Sequence, residues 1–275
     1  QIHSEIIFVN YNPLPEPSIG NFIDWPSSTE LVQIRILTIT PNQHKQLVAS
    51  GDRQDIPVME YLGKNAGIRR AKGEFILSMN PDIILPPEIV SRFISLKKDC
   101  YYRTDRVDYS GDIHGSHELR RLFLKGQDYP ISSLDELDAL RRENRKVNRW
   151  RSFTPKIAWF LNLISSPVFY NSAEYNFHCN VSGDFMLMHR DAWQLVRAHH
   201  ENRPIALHVD ALMVVQAATM GLKEVVFDSP IFHQEHERRF DAKAENQLFK
   251  EAFDFFVVES KKMISNGKPE IYNGT

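Results

Sequence analysis

The chain has 275 residues, 42% of them apolar and 25% charged, with a formal net charge of −2. Such a chain can bury a sizeable core, as one large domain or two small ones, and its near-neutral balance gives no global reason to expect nucleic acid as a partner. Its only cysteines, Cys100 and Cys179, exclude a disulfide scaffold and any CxxC metal knuckle, while one bridge between them stays open. No apolar run approaches the roughly 18 residues needed to span a bilayer. The richest window, "IAWFLNLISSPVFY" (157–170), is broken by Asn162, two serines and Pro167. The chain starts at Gln1 with no signal-like segment, as an excised or processed fragment would. A cytoplasmic location is the expectation. The Golgi lumen is the alternative for a chain whose N-terminal anchor has been removed.

In chain order, "EIIFV" (5–9) reads as a short strand that gives way to a loop at "NYNPLPEP", whose prolines cannot continue a ladder. "LVQIRILTI" (31–39) alternates towards period two and is stopped by Pro41. "KNAGIRRAKG" (64–73) has the pattern of a short helix with Gly73 at its stop. "EFILSM" (74–79) is a nearly continuous apolar run, which suits the buried middle of a parallel sheet. "PPEIVSRFISLKK" (86–98) predicts a helix with prolines in its first turn, and "CYYRTDRVDY" (100–109) the next strand. This alternation predicts an α/β fold, with an open, mixed but mainly parallel sheet flanked by helices in the Rossmann manner.

From Gly111 to about Lys156 the chain is polar and charged. "SLDELDALRRENRKVNRW" (133–150) places apolar residues at helical spacing with a basic second half, read either as a solvated face or as a mobile lid or acceptor-contacting helix. Order returns with "NVSGDFMLMHRDAWQLV" (180–196), a strand running into a helix, and "HVDALMVVQAATMG" (208–221), a buried helix ended by Gly221. "KEVVFDSPIFHQEHERR" (223–239) gives a strand, a turn and a histidine-bearing segment. "AKAENQLFKEAFDFFVVESKKMI" (242–264) is a long amphipathic helix whose aromatics are core contacts. Without a repeat or a clean linker, residues 1–275 are expected to form a single domain. The sequons "NVS" at 180 and "NGT" at 273 fit the glycosylation pattern, although Asn180 falls in an expected core strand.

The triplet Asn80-Pro81-Asp82 interrupts two apolar stretches. Pro81 removes a backbone donor, so the chain must leave the ladder there. Ligands of open α/β sheets bind beyond the carboxyl ends of strands. Asp82 therefore reads either as an Asx turn opening the next helix or as a carboxylate aimed at a ligand, where a divalent metal carrying a diphosphate would satisfy its charge.

With "NAGIRRAKGEFILSMNPDIILP" (65–86), "SGDFMLMHRDAW", "HVDALM" and "FHQEH", the chain resembles the GT-A nucleotide-sugar glycosyltransferases, especially the broad family 2 group. The resembling stretches are spread over most of residues 5–240. The resemblance implies a nucleotide-binding half at about 1–110 and an acceptor and catalytic half at about 111–275. It places Asp82 at the last, metal-coordinating position of the family's Asp-x-Asp motif, with Asn80 standing where the first acid would be. Asn10, Tyr11 and Asn12 take the nucleoside position, Tyr11 either stacking on the base or capping the sheet edge. Asn65 and Arg69 fall on the helix facing the nucleotide, Arg69 offering a fork to phosphate. Gly183 and Asp184 lie where sugar and acceptor meet, Asp184 being alternatively a helix or turn cap. Asp210 takes the position of the catalytic base of inverting members, or is an N-cap. His233 is the second metal ligand, preferred over its neighbour His236, and the set suits Mn²⁺ or Mg²⁺. His114 and His117 are read as loop.

The resemblance thus implies an inverting, metal-assisted transferase. It would move sugar from a nucleoside-diphosphate donor, UDP-sugar being favoured, to a glycan or other hydroxyl acceptor. The alternatives are a retaining transferase, a nucleotidyltransferase, for which "NYNPLPEPSIGN" lacks the Gly-rich phosphate loop, or a non-catalytic nucleotide-sugar-binding module.

Overall fold

The computed structural model describes residues 2–15, 19, 23, 31–49, 57–109, 182–201, 208–234, 251–252 and 254–263. The expected helix at 133–150, His114, His117, Cys179, Asn180 and His236 lie outside the described residues. The fold is mixed α/β. Strands β1 (Ser4–Tyr11) and β2 (Val32–Ile39) pair in parallel, Ile7 opposite Arg35. Strand β1 carries on through Asn10 and Tyr11, two residues into the expected loop, because their partners Thr38 and Ile39 are still there to pair with. Pro41 does stop β2, and it also opens helix α1 (Pro41–Ala49), which suits a residue with no donor to lose at a first turn.

Helix α2 (Glu60–Ile68) lies against β1. Its glycines explain the closeness: a Cβ at Gly63 would stand 3.3 Å from the Tyr11 ring, and one at Gly67 3.2 Å from a Val9 methyl. The helix ends at Ile68, with Arg69 as its C-cap, rather than at Gly73, which belongs to the following turn. There Glu5 of β1 accepts hydrogen bonds from the amides of Lys72 and Gly73 and an ion pair from Arg35 at 2.7 Å, tying the turn to both strands.

Strand β3 (Phe75–Met79) leads through the Asn80-Pro81-Asp82 turn into the two-residue β4 (Ile83–Ile84). Helix α3 (Pro87–Arg92) follows, tightening into a 3₁₀ turn at Phe93–Ser95 and so ending before the expected Lys98. The stretch 100–109 is two strands rather than one: β5 (Cys100–Arg103) and β6 (Arg106–Tyr109). The break falls at Thr104 and Asp105, where Ile231 N–H donates to the Asp105 carbonyl and Thr104 Oγ1 to the Ser229 carbonyl. Strand β7 (Phe185–His189) and helix α4 (Arg190–Leu195) come next, followed by α5 (Val209–Thr219), β8 (Lys223–Val226) and β9 (Ile231–Gln234). Gly221 closes α5 at φ 84°, a left-handed conformation that costs glycine nothing.

Among the described strands the ladders run β1-β2, β3-β7-β5-β8 and β4-β9-β6. Three pairings are parallel and three antiparallel, so the sheet is mixed but not mainly parallel. β3, expected inside a parallel sheet, instead runs antiparallel to β7. The continuous apolar run of β7 reflects burial on both faces. Met186 and Met188 join the core with Trp193 and Leu212, while Phe185 and Leu187 join the one with Ile83, Ile89 and Ile231. Helical residues 254–263 close the first core through Phe256 and Met263. Cys100 is a buried free thiol among the described residues.

Candidate functional site

The β4-β9-β6 ladder decides which charges meet. Its register sets Ile83 opposite His233 and His233 opposite Asp108, so Asp82, one residue before β4, comes beside the same imidazole. His233 Nδ1 is 2.9 Å from Asp108 Oδ1 and its Nε2 is 3.3 Å from Asp82 Oδ2. Asp108 continues to Arg106, whose Nε lies 2.9 Å away. Arg106 also donates to Asp184 Oδ2 at 2.7 Å, and Asn80 Nδ2 donates to Asp184 Oδ1 at 2.7 Å. Six side chains from four elements thus form one connected network, in which Asp108 and Asp184 meet the Arg106 guanidinium and Asp82 and Asp108 meet the His233 ring. A neutral imidazole has a single N–H to give, whereas His233 faces two carboxylates. The Asp82–His233 gap therefore suits a positive charge.

That is the test for the divalent cation which the resemblance implies. One carboxylate oxygen and one imidazole nitrogen fit a Mn²⁺ or Mg²⁺ whose remaining positions are filled by phosphate and water. Among the described residues no group of three or more His, Cys, Asp or Glu side chains is arranged to hold a metal. Protein donors alone do not make a closed cage there, and Asn80, turned to Asp184, adds no charge.

Asp210 stands in the first turn of α5, after His208 in a left-handed conformation (φ 61°). Its Oδ2 accepts the Gly183 N–H at 2.9 Å. The Gly183 carbonyl in turn accepts from Lys64 Nζ at 2.7 Å, and that ammonium pairs with Glu60 at 2.7 Å. Since Asp184 follows Gly183, the turn before β7 joins the two acids. Gly183 acts through its backbone, and a Cβ there would come within 3.0 Å of the Tyr61 hydroxyl and 3.4 Å of Asp210 Oδ2. Burial raises the Tyr61 phenol well above its ordinary range, with the charges of Asp210, Glu60 and Asp184 adding to it and Arg103 opposing. It stays protonated beside the acids.

The structure therefore brings Asn80, Asp82, Asp184 and His233 into one network and joins Asp210 to it through Gly183. It turns the α2 residues elsewhere. Asn65 is fully buried: its Oδ1 accepts the His199 N–H at 2.9 Å, and its Nδ2 donates to the His199 carbonyl and to Glu201, each at 2.7 Å. Arg69 pairs with the same Glu201 at 2.7 Å. Tyr11 packs on Gly63, with its hydroxyl 3.2 Å from His44 Nδ1, and burial pushes its phenol up. Asn12, at φ 47°, donates to the Pro57 carbonyl at 2.9 Å. Asn10 sits opposite Thr38 near the end of β1.

Five participants escaped the sequence reading: Glu60, Tyr61, Lys64, Arg106 and Asp108. The last two had a signal, since "RVDY" puts an arginine and an aspartate on one face of a strand at period two. Tyr61 and Lys64 are three apart on α2 and share a face, but nothing local says what they meet.

In comparisons with known proteins, no family model matches the chain and no curated protein matches it.

Proposed function

We propose that the chain is an inverting glycosyltransferase of the GT-A type, which moves a sugar from a nucleoside-diphosphate donor to a hydroxyl acceptor. The carrying observation is the Asp82–His233 contact of 3.3 Å at neighbouring strand ends, with a second acid, Asp210, joined to the same site through Gly183. Asp82 and His233 would hold a divalent cation together with donor phosphate oxygens, and the cation would neutralise the charge developing on the leaving diphosphate. Asp210 is the general base. Gly183 engages Oδ2, and Oδ1 takes the proton of the acceptor hydroxyl as that oxygen attacks the anomeric carbon. The bond from that carbon to the diphosphate oxygen breaks on the opposite face, and the nucleoside diphosphate leaves with the electron pair. Asp184, held by Asn80 and Arg106, fixes the floor on which the sugar and acceptor meet.

Calorimetric titration with UDP in the presence of Mn²⁺ tests the binding half of this proposal. Asp82→Ala and His233→Ala are each expected to weaken Mn²⁺-dependent binding by at least about tenfold. Unchanged affinity in both variants would remove the basis of the reading.

A further inference from the structure

Resting on the reading of Asp210 as the base, we infer that Lys64 is a positioning residue which orients the Asp210 carboxylate through the Gly183 turn. The Lys64 side chain is only 10% exposed. A lysine serving merely as an i,i+4 partner of Glu60 would keep its ammonium in water. Here the ammonium is drawn under Gly183, splitting its donors between the Glu60 carboxylate and the Gly183 carbonyl, 2.7 Å each, and lying 5.0 Å from the Tyr61 ring centroid. Burying an ammonium is costly unless its partners are specified, and one of these two is a neutral backbone oxygen from a distant turn.

The consequence follows from the covalent link. Holding the Gly183 carbonyl fixes the peptide plane between Gly183 and Asp184, and with it the conformation of Gly183, which as a glycine has no side chain to restrict it. The Gly183 N–H is thereby aimed at Asp210 Oδ2. Tyr61, one turn of α2 before Lys64, closes the other side: its hydroxyl and Asp210 Oδ2 lie 3.0 and 3.4 Å from the point a Gly183 Cβ would occupy. The carboxylate is therefore held against rotation from α2, across a turn that it does not itself belong to. A base is effective only within a narrow angular range, and a misplacement on the order of 1 Å costs about 10²-fold.

The test combines turnover with NMR of the folded protein. Lys64→Met is expected to lower kcat by up to about 10²-fold with the donor KM nearly unchanged. The Gly183 amide proton should move upfield, towards its position in Asp210→Ala. Lys64→Arg, which keeps a charged donor, should keep both near wild type. In the wild-type protein the Lys64 Nζ should correlate with the Gly183 carbonyl carbon across their hydrogen bond, a measurement that needs no variant to fold. A missing correlation, an unmoved Gly183 resonance in Lys64→Met, or a raised donor KM with unchanged kcat would each overturn the inference. A wild-type protein that transfers no sugar while showing the correlation would instead overturn the glycosyltransferase reading.

Discussion

Asp184 and Asp210 stand on either side of Gly183, yet they face different surroundings. Asp184 is 6% exposed and gives one oxygen to Asn80 and the other to Arg106. Replacing it with asparagine leaves Arg106 short of one counter-charge in a largely buried place. Because that guanidinium is partly exposed, the expected loss is about 1–3 kcal/mol, seen as a lower urea midpoint alongside any loss of turnover. Asp210→Asn should be nearly neutral for stability, leave donor binding intact, and lower turnover by roughly 10²–10⁴-fold. Equal urea midpoints for the two variants would contradict this separation of roles. Gly183→Ala is expected to be damaging for a steric reason. Its Cβ would stand 3.0 Å from the hydroxyl of Tyr61, a buried ring with little room to retreat. Such overpacking costs about 1–3 kcal/mol, readable as a fall in Tm.

At the scale of elements, α2 shows how much of the molecule its sequence discloses. "KNAGI" (64–68) was legible as part of a helix, its first turn at 60–63 was not, and the resemblance pointed it to nucleotide. In the structure this helix serves packing. Gly63 and Gly67 admit β1, and Asn65 clamps residues 199–201. Asn65→Ala should cost about 1–3 kcal/mol by leaving the His199 N–H unsatisfied, measurable by urea unfolding. The Asn80-Pro81-Asp82 turn was legible because proline and a lone acid in an apolar stretch have local meaning. Arg106 and Asp108 were not picked out, since "CYYRTDRVDY" reads as one strand and the switch at Thr104 depends on residues 227–231. Mainly parallel pairing failed for the same reason: the neighbours of β3 and β5 are set by β7, far along the chain.

The 199–201 segment also carries a pH prediction. His199 is fully buried between Tyr61 and Trp193, with Ser78 Oγ 3.3 Å from its Nε2. Burial, reinforced by the Lys64 and Arg103 charges, holds its pKa well below the ordinary 6.5. Above that ordinary value neither folded nor unfolded chain protonates this histidine, and its contribution is fully present. Below it the unfolded chain binds a proton that the folded one refuses, so stability falls by up to about 1.4 kcal/mol per pH unit until the folded pKa is reached. His199→Gln should be less stable at neutral pH but show a flatter decline in denaturant midpoint between about pH 6.5 and 5. An unchanged slope would show that other groups set it.

Across the described residues, three strands of two ladders deliver side chains to one place: the end of β3 brings Asn80 and Asp82, β6 Arg106 and Asp108, and β9 His233. The turn before β7 brings Asp184, and the start of α5 brings Asp210. Two of these acids, Asp82 and Asp108, flank the single imidazole of His233. The most direct measurement is nucleoside diphosphate release from a panel of nucleotide sugars, with Mn²⁺ and with EDTA, by wild type and by Asp82→Ala. The proposed cation-assisted transfer requires release from at least one donor with Mn²⁺, its abolition by EDTA, and a loss of at least about 10²-fold in Asp82→Ala. Near-normal release by Asp82→Ala, or no release from any donor by the wild type, would contradict it.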